Sequence, residues 1–190
     1  VARVGYSCRY PARVLLLTAL NPCPCGWFPD RRRCSCTPGQ VRKYLGRISQ
    51  PLLDRMDICT ETIPLRYREL ETLSDASCES SEQIRQRVEQ AQQIQRKRYE
   101  KESFFHNAQL TPEAITRYCP MTAEARGYLE QIFEQMEFSA RAYHKIVRVG
   151  RSIADLAQSE QIQREHIAEA VFYRSIDQKY WGGEEAGRNG

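Results

Sequence analysis

Apolar positions follow two rhythms along this chain. "VLLLTAL" at 14–20 is an unbroken apolar run, fenced by Pro11 on one side and Asn21-Pro22 on the other. Such a run reads as a strand buried on both faces of a parallel sheet. At 58–65, "ICTETIPL" alternates Ile58, Thr60 and Thr62 with Cys59, Glu61 and Ile63, the period of a second strand. Two strands cannot form a sheet with both faces covered, so further strands are expected before Val1. Between the two, "TPGQVRKYLGRIS" offers Thr37 as N-cap, Pro38 at the first helical position and Gln40 as the return half of a capping box. Val41, Tyr44, Leu45 and Ile48 then share one face, which predicts a short amphipathic helix ending near Pro51.

From residue 80 the period becomes helical. "SSEQIRQRVEQAQQIQRKRYEK" spaces Ile84, Val88, Ala91, Ile94 and Arg98 along one face, with Ser80 or Ser81 as cap and glutamine and arginine elsewhere: a long, mostly exposed helix. A second helix starts at Thr111-Pro112, and a third carries Leu129, Ile132, Phe133 and Met136. A fourth carries Tyr143, Ile146, Val147, Gly150, Ile153 and Leu156, and the last buries Ile167, Ala170 and Val171. The expected fold is therefore α/β plus all-α. The end of a sheet-based core occupies 1–65, a linker 66–79, a helical bundle 80–181 and a disordered tail 182–190.

Composition narrows the class. With 41% apolar and 27% charged residues among 190, the chain can build a core and keep a polar surface. No apolar run approaches the roughly 20 residues of a membrane span. The net charge of +4 conceals an asymmetry: residues 1–50 hold nine Lys or Arg against Asp30 alone, which puts +8 there and −4 on the rest. A basic block suits nucleic acid, nucleotide phosphates or an acidic neighbouring subunit, and equally a solvated face. Eight cysteines would suit a secreted disulfide fold. The long helices, the lack of a visible signal segment and the tight Cys-x-Cys spacing point instead to a reducing compartment, the cytoplasm.

Four of those cysteines form a pattern. Cys23, Cys25, Cys34 and Cys36 read C-x-C, eight residues, C-x-C. Four thiolates satisfy tetrahedral zinc, although structural zinc pairs usually stand two or more residues apart. Pro22 and Pro24 stiffen the first pair, Gly26 permits a turn, and Arg31, Arg32 and Arg33 would offset a tetrathiolate charge. Reduced cysteines packed as small apolar groups, or a redox pair activated by the arginines, remain open readings. Cys8, Cys59, Cys78 and Cys119 are scattered and read as core or incidental.

Three stretches together, "ALNPCPCG", "CTPGQVRKYLGRISQPLLDRMDI" and "SARAYHKIVRVGRSIADLAQSEQIQREHIAEAVFYRS", resemble the magnesium-chelatase-like AAA+ ATPases of bacteria, in particular the competence-type ComM group. The resemblance covers nearly the whole chain. It implies a ring-forming, hexameric ATPase with ATP and Mg²⁺ between subunits, and a helicase or branch-migration role on DNA. It carries sensor 1 onto Asn21, the arginine finger onto Arg55 and sensor 2 onto Arg141, with Asn21 and Arg141 contacting nucleotide. Read from the residues alone, Asn21 is also a turn former before Pro22, Arg55 a member of a local ion pair with Asp54 or Asp57, and Arg141 an exposed helical arginine. Two departures stand out. No G-x-x-x-x-G-K-[ST] loop or acidic Walker-B-like strand end occurs in these residues, so they are not expected to hydrolyse ATP alone, and Gln50 stands where the family usually has glycine. A different reading is a zinc-stabilised nucleic-acid-binding module without ATPase activity. In it Arg31, Arg32, Arg33, Arg42, Lys43 and Arg47 meet phosphates while Trp27, Phe28 or Tyr44 stack on bases.

Overall fold

Hydroxyl side chains write the helix starts into this chain, and the computed structural model, which describes residues 2–10, 14–62, 64, 67 and 79–181, uses them as written. Thr37, Ser80, Thr111, Thr122 and Ser139 each accept a hydrogen bond from the backbone N–H three residues on. Each such bond satisfies one of the amides that a helix start leaves without an intrahelical partner. At Thr37 and Ser80 the box closes reciprocally, because Gln40 and Gln83 accept from the cap backbone N–H at 2.8 Å. The helices so started fall into two units, residues 1–47 and 48–190.

The first unit opens with a hairpin of β1 (Ala2–Arg3) and β2 (Tyr6–Ser7), antiparallel with Ala2 opposite Ser7, turning through Gly5 at φ +95. A loop holding four cysteines leads to α1 (Pro38–Leu45), whose Val41 and Leu45 are buried. Here the structure corrects an expectation. Residues 14–20 form no strand, and Leu15 is 98% and Leu17 92% exposed. A parallel strand is held by neighbours on both sides, and β1 with β2 makes the only sheet among the described residues. The α/β half of the expected fold is thus not realised here.

The second unit begins with α2 (Gln50–Leu53) and continues with α3 (Ser81–Arg98), a 3-10 turn (Asn107–Gln109), α4 (Pro112–Tyr118), α5 (Ala123–Gln135), α6 (Ala140–Leu156) and α7 (Arg164–Trp181). The predicted helical bundle is present. The strand expected at 58–65 is a second correction: residues 58–62 and 64 are not in a sheet, while 63 and 65 lie outside the described residues. This segment spends its hydrogen bonds on α7 instead, through Cys59 N–H to the Tyr173 carbonyl at 3.1 Å and Glu61 to Lys179 at 2.8 Å. Most of the expected linker at 66–79, Cys78 and the expected tail at 182–190 also lie outside the described residues.

Helix α6 is the axis of the bundle. Its apolar face buries Ala142, Ile146, Val147 and Ala154 against Ile162, Ile167, Ala170 and Val171, with Leu129, Ile115 and Tyr99 closing the core. Gly150 is required by a close approach: a Cβ built there would sit 3.1 Å from Ile167 Cδ1 and 3.7 Å from Ile162 Cγ2. The loop before α5 is pinned to the loop before α7 by a parallel bridge, with Ile162 N–H donating to the Pro120 carbonyl at 2.8 Å and Thr122 N–H to that of Ile162 at 3.1 Å.

A buried polar knot fastens α3 to α6. Asp155, 1% exposed, accepts a two-pronged contact from Arg98, a bond from Arg151 Nε at 3.1 Å and one from Asn107 Nδ2 at 2.8 Å. Arg151 is fully buried and spends its remaining donors on the carbonyls of Ser159 and Glu160, at 2.5 and 2.8 Å. Asn107 completes the set by accepting from the Tyr99 hydroxyl at 2.6 Å. Each charge here is met by an opposite charge or a hydrogen bond, the condition under which buried ions are tolerated.

Candidate functional site

Two places gather chemistry-bearing residues, one in each unit. In the first, the prolines on either side of Cys23 lead into a tight turn: Gly26 sits at φ +83 and its N–H donates to the Cys23 carbonyl at 3.1 Å. Asp30 organises the return, accepting at its carbonyl from Cys34 N–H at 2.8 Å and at its side chain from Arg32 N–H at 3.0 Å. The turns converge all four sulfurs to within 4.8 Å of one another. Cys23 Sγ lies 3.4 Å from Cys25 Sγ and 3.8 Å from Cys34 Sγ, with Cys25 and Cys34 at 3.6 Å.

Those separations decide between readings. A disulfide would bring two sulfurs to about 2.05 Å. A tetrahedron of thiolates around zinc at about 2.3 Å has an edge near 3.8 Å. The spacing rules out a disulfide and is compatible with a metal site, for which four thiols are a donor set that fits zinc. The local field already favours ionisation at one corner, where the Trp27 backbone N–H leads in lowering Cys25 to about 5. Cys36 opposes it at about 11, burial and the nearby sulfurs outweighing the N–H bond it gains beside Cys25. A dication would draw all four toward thiolate.

The clasp displays a basic surface. Arg31, Arg32 and Arg33 are exposed on its loop and Arg42, Lys43 and Arg47 on α1 and just beyond it. Three of the six lie over aromatic rings: Arg33 over Trp27 at 3.3 Å from the centroid, Arg31 over Phe28 at 5.0 Å and Arg47 over Tyr44 at 5.6 Å. Asn21 is exposed and its side chain flanks the Gly26 turn, 3.9 Å from where a Cβ would be. It follows a run that is not a strand here, so a position at a strand end is not what supports it.

In the second unit Arg55 is exposed on the turn after α2, its Nη1 donating to the Pro51 carbonyl at 2.6 Å. Its flanking carboxylates do not pair with it. Asp57 pairs with Lys145 of α6 at 3.1 Å, and Asp54 lies 3.9 Å from Arg174 of α7. Both cations are themselves buried, Lys145 at 6% and Arg174 at 4% exposure, and both donate to the Met56 carbonyl at 2.9 Å. Burial leads in holding the Lys145 ammonium below its ordinary range, opposed by Asp57. Arg141 is exposed near the start of α6, four residues before Lys145. The second unit thus carries Arg55 and Arg141 and the first carries Asn21 with the clasp. Sequence reasoning missed Lys145, Arg174 and the Asp155 knot; only the Arg151-to-Asp155 spacing of four was a visible signal for any of them.

The helical architecture and these motifs have a counterpart among known proteins, and the chain belongs to the magnesium chelatase ChlI family. Residues 78–174 match the family described as "Magnesium chelatase, subunit ChlI C-terminal" and residues 1–70 match "Magnesium chelatase, subunit ChlI". Among individual relatives, the chain is 38% identical over 177 residues to the uncharacterized protein YifB of Escherichia coli K12 and 35% identical over 176 to the competence protein ComM of Haemophilus influenzae. An uncharacterized protein of Mycobacterium tuberculosis H37Rv is 34% identical over 172 residues. These alignments cover 93%, 93% and 90% of this chain but only 34%, 33% and 33% of the relatives, so the chain spans about a third of their length.

Proposed function

We propose that this chain supplies the last part of an AAA+ core and the helical lid of a ring-forming ATPase, hexameric and cytoplasmic, that works on DNA as a helicase or branch-migration motor. The observation that carries this reading is the presentation of Arg55. Its two acidic neighbours are occupied by Lys145 and Arg174, so among the described residues the exposed Arg55 guanidinium has no carboxylate to neutralise it and leans on the Pro51 carbonyl of its own turn. An exposed cation whose charge is not neutralised is what an adjoining subunit's nucleotide requires when charge develops on the transferring phosphoryl group. Arg141 would contact the nucleotide as sensor 2, and Asn21 would orient water or meet the terminal phosphate as sensor 1. The phosphate cradle and the Mg²⁺ ligands belong to parts of the protein outside these residues. Mg²⁺ would there bridge and neutralise the phosphates. The bare apolar run at 14–20 supports the same reading, because an exposed stretch of this kind is the surface that the rest of a core sheet would cover.

The test is ATP turnover of the full-length protein carrying Arg55→Ala. Loss of an arginine finger costs on the order of 10³-fold or more in kcat, and Arg55→Lys should recover little because lysine lacks the planar fork. Turnover within about twofold of wild type in the alanine variant defeats the reading.

A second reading, a zinc-stabilised nucleic-acid-binding module, is favoured by the sulfur spacing and the exposed arginines above aromatic rings. Here the clasp holds Arg31, Arg32, Arg33, Arg42, Lys43 and Arg47 toward phosphates. Protein prepared under reducing conditions should contain about one zinc per chain, and a variant with all four cysteines changed to serine should contain none. Salt-dependent DNA binding without nucleotide favours the module; binding only by a nucleotide-loaded ring favours the motor.

A further inference from the structure

The turn that carries Arg55 does not hold itself in place. Helix α2 is four residues long, too short to be stable on its own, and Arg55 lies beyond its end. The backbone carbonyls at that end have no further helical turn to bond to. Two cations reach them from two different helices. Arg174 of α7 donates to the carbonyls of Leu53 and Met56 at 3.3 and 2.9 Å, and Lys145 of α6 donates to the same Met56 carbonyl at 2.9 Å. The salt bridges of Lys145 to Asp57 and of Arg174 to Asp54 fasten the chain on both sides of Arg55. Further along, the Cys59 and Glu61 contacts keep the strand-like segment on α7.

A buried lysine and a buried arginine are costly to keep in a helical core, and neither is needed to fill it. Their ends converge on the backbone carbonyls of Leu53 and Met56, beside a turn whose buried apolar side chain is Leu53. What this arrangement accomplishes is geometric. Lys145 stands one helical turn from Arg141 on α6, so the helix that grips the Arg55 turn also bears the sensor-2 candidate.

We propose that Lys145 and Arg174 are positioning residues that lash the Arg55 turn to the helical bundle, so that Arg55 and Arg141 move as parts of one body. This rests on the reading of Arg55 as a finger. A displacement of α6 that follows Arg141 onto or off a nucleotide then carries Arg55 with it, and the state of one nucleotide site is passed to the next by α6 and α7.

The test uses the full-length protein with Lys145→Met, which keeps the aliphatic stem and removes the donor. Steady-state kinetics should show kcat lower by about tenfold with KM for ATP within about twofold, the signature of a misplaced group that acts only in the transition state. Amide exchange at residues 52–56 should quicken by about tenfold while the core amides of α6 keep their protection. Lys145→Arg should restore most of both. Should the methionine variant not fold, Asp54→Asn with Asp57→Asn loosens the same turn from its exposed side, with about threefold effects expected on both readouts. Wild-type kcat and wild-type exchange in these variants, beside a disabled Arg55→Ala protein, overturn the lashing and leave the finger reading standing. Wild-type turnover in Arg55→Ala overturns the finger reading and this proposal with it. Faster exchange with unchanged kcat also overturns the proposal, since the ties would then be structural only.

Discussion

Replacing Asp155 by alanine should unfasten α3 from α6 more than any single apolar truncation in the bundle. The carboxylate is fully out of solvent and, among the described residues, is the only acidic partner of Arg151, which is itself fully buried, and of Arg98, whose side chain is 17% exposed. Removing it strands two guanidinium charges and leaves Asn107 Nδ2 with the Ser152 hydroxyl as its remaining acceptor, at 3.0 Å. Breaking a buried pair from one side costs about 3–5 kcal/mol, most of it the charge left behind. At 1.4 kcal/mol per factor of ten, the slowest-exchanging α6 amides should exchange about 140- to 3,700-fold faster when they open through the bundle's unfolding. Amide exchange followed by mass spectrometry reads this directly on the full protein, without assuming that a multidomain chain melts in two states. Asp155→Asn should fall between, since one acceptor oxygen remains and the charge does not. If Asp155→Ala costs under about 1 kcal/mol, the two arginines find other partners or water, and the knot is not a keystone. Exchanging Arg98, Arg151 and Asp155 together for apolar residues of similar volume should cost far less than the single change, because no charge is then left unpaired.

Two further outcomes follow from close geometry and from charge. Gly150→Ala gains helix propensity of about 1 kcal/mol but pushes a methyl to 3.1 Å from Ile167 Cδ1, so the net effect should be a loss of roughly 1 kcal/mol, reversed by Ile167→Val, as read by denaturant midpoints. For Glu61, burial would raise the carboxyl, but Lys179 and then Tyr180 outweigh it and hold it below the ordinary carboxylate range. A depressed folded value means that the tie to α7 is present above the unfolded carboxylate pKa and lost as pH falls through the lower folded value. Exchange in residues 59–62 should therefore quicken on acidification through that window in the native protein and lack this dependence in Glu61→Gln.

What could be read in the sequence was what is decided locally. The caps at Thr37 and Ser80 and the helix start at Thr111 depend on a side chain and an amide three residues away, and all three were legible with their helices. The apolar faces of α6 and α7 were legible for the same reason: Ile146, Val147, Gly150, Ile167, Ala170 and Val171 are buried as their spacing predicts. The strands at 14–20 and 58–65 were misread because strand formation is settled by partners far along the chain, and an apolar or alternating run says nothing of whether they are within reach. Charge was misread for a related reason. Asp54 and Asp57 look like natural partners of Arg55, three residues or fewer apart, yet they pair with cations 88 and 120 positions later. Lys145 and Arg174 look like any surface lysine or arginine until the fold buries them. The cysteine spacing was legible as a group of four, and the fold brings their sulfurs together into a group that could hold a metal.

Among the described residues, helix α3 is gripped along its second half only. Residues 81–90 are all exposed, and the first side-chain bond to the bundle is Gln158 Nε2 to Gln90 Oε1 at 3.0 Å. At 1.5 Å per residue the free portion is a stalk about 15 Å long, stiffened by its own hydrogen bonds and by the Ser80 cap at its tip. A tilt of about 10° where it leaves the bundle displaces that tip by roughly 2.6 Å over this length. The molecule therefore carries a crank: small adjustments in the core arrive at the far end of the stalk enlarged to the scale of a side-chain contact.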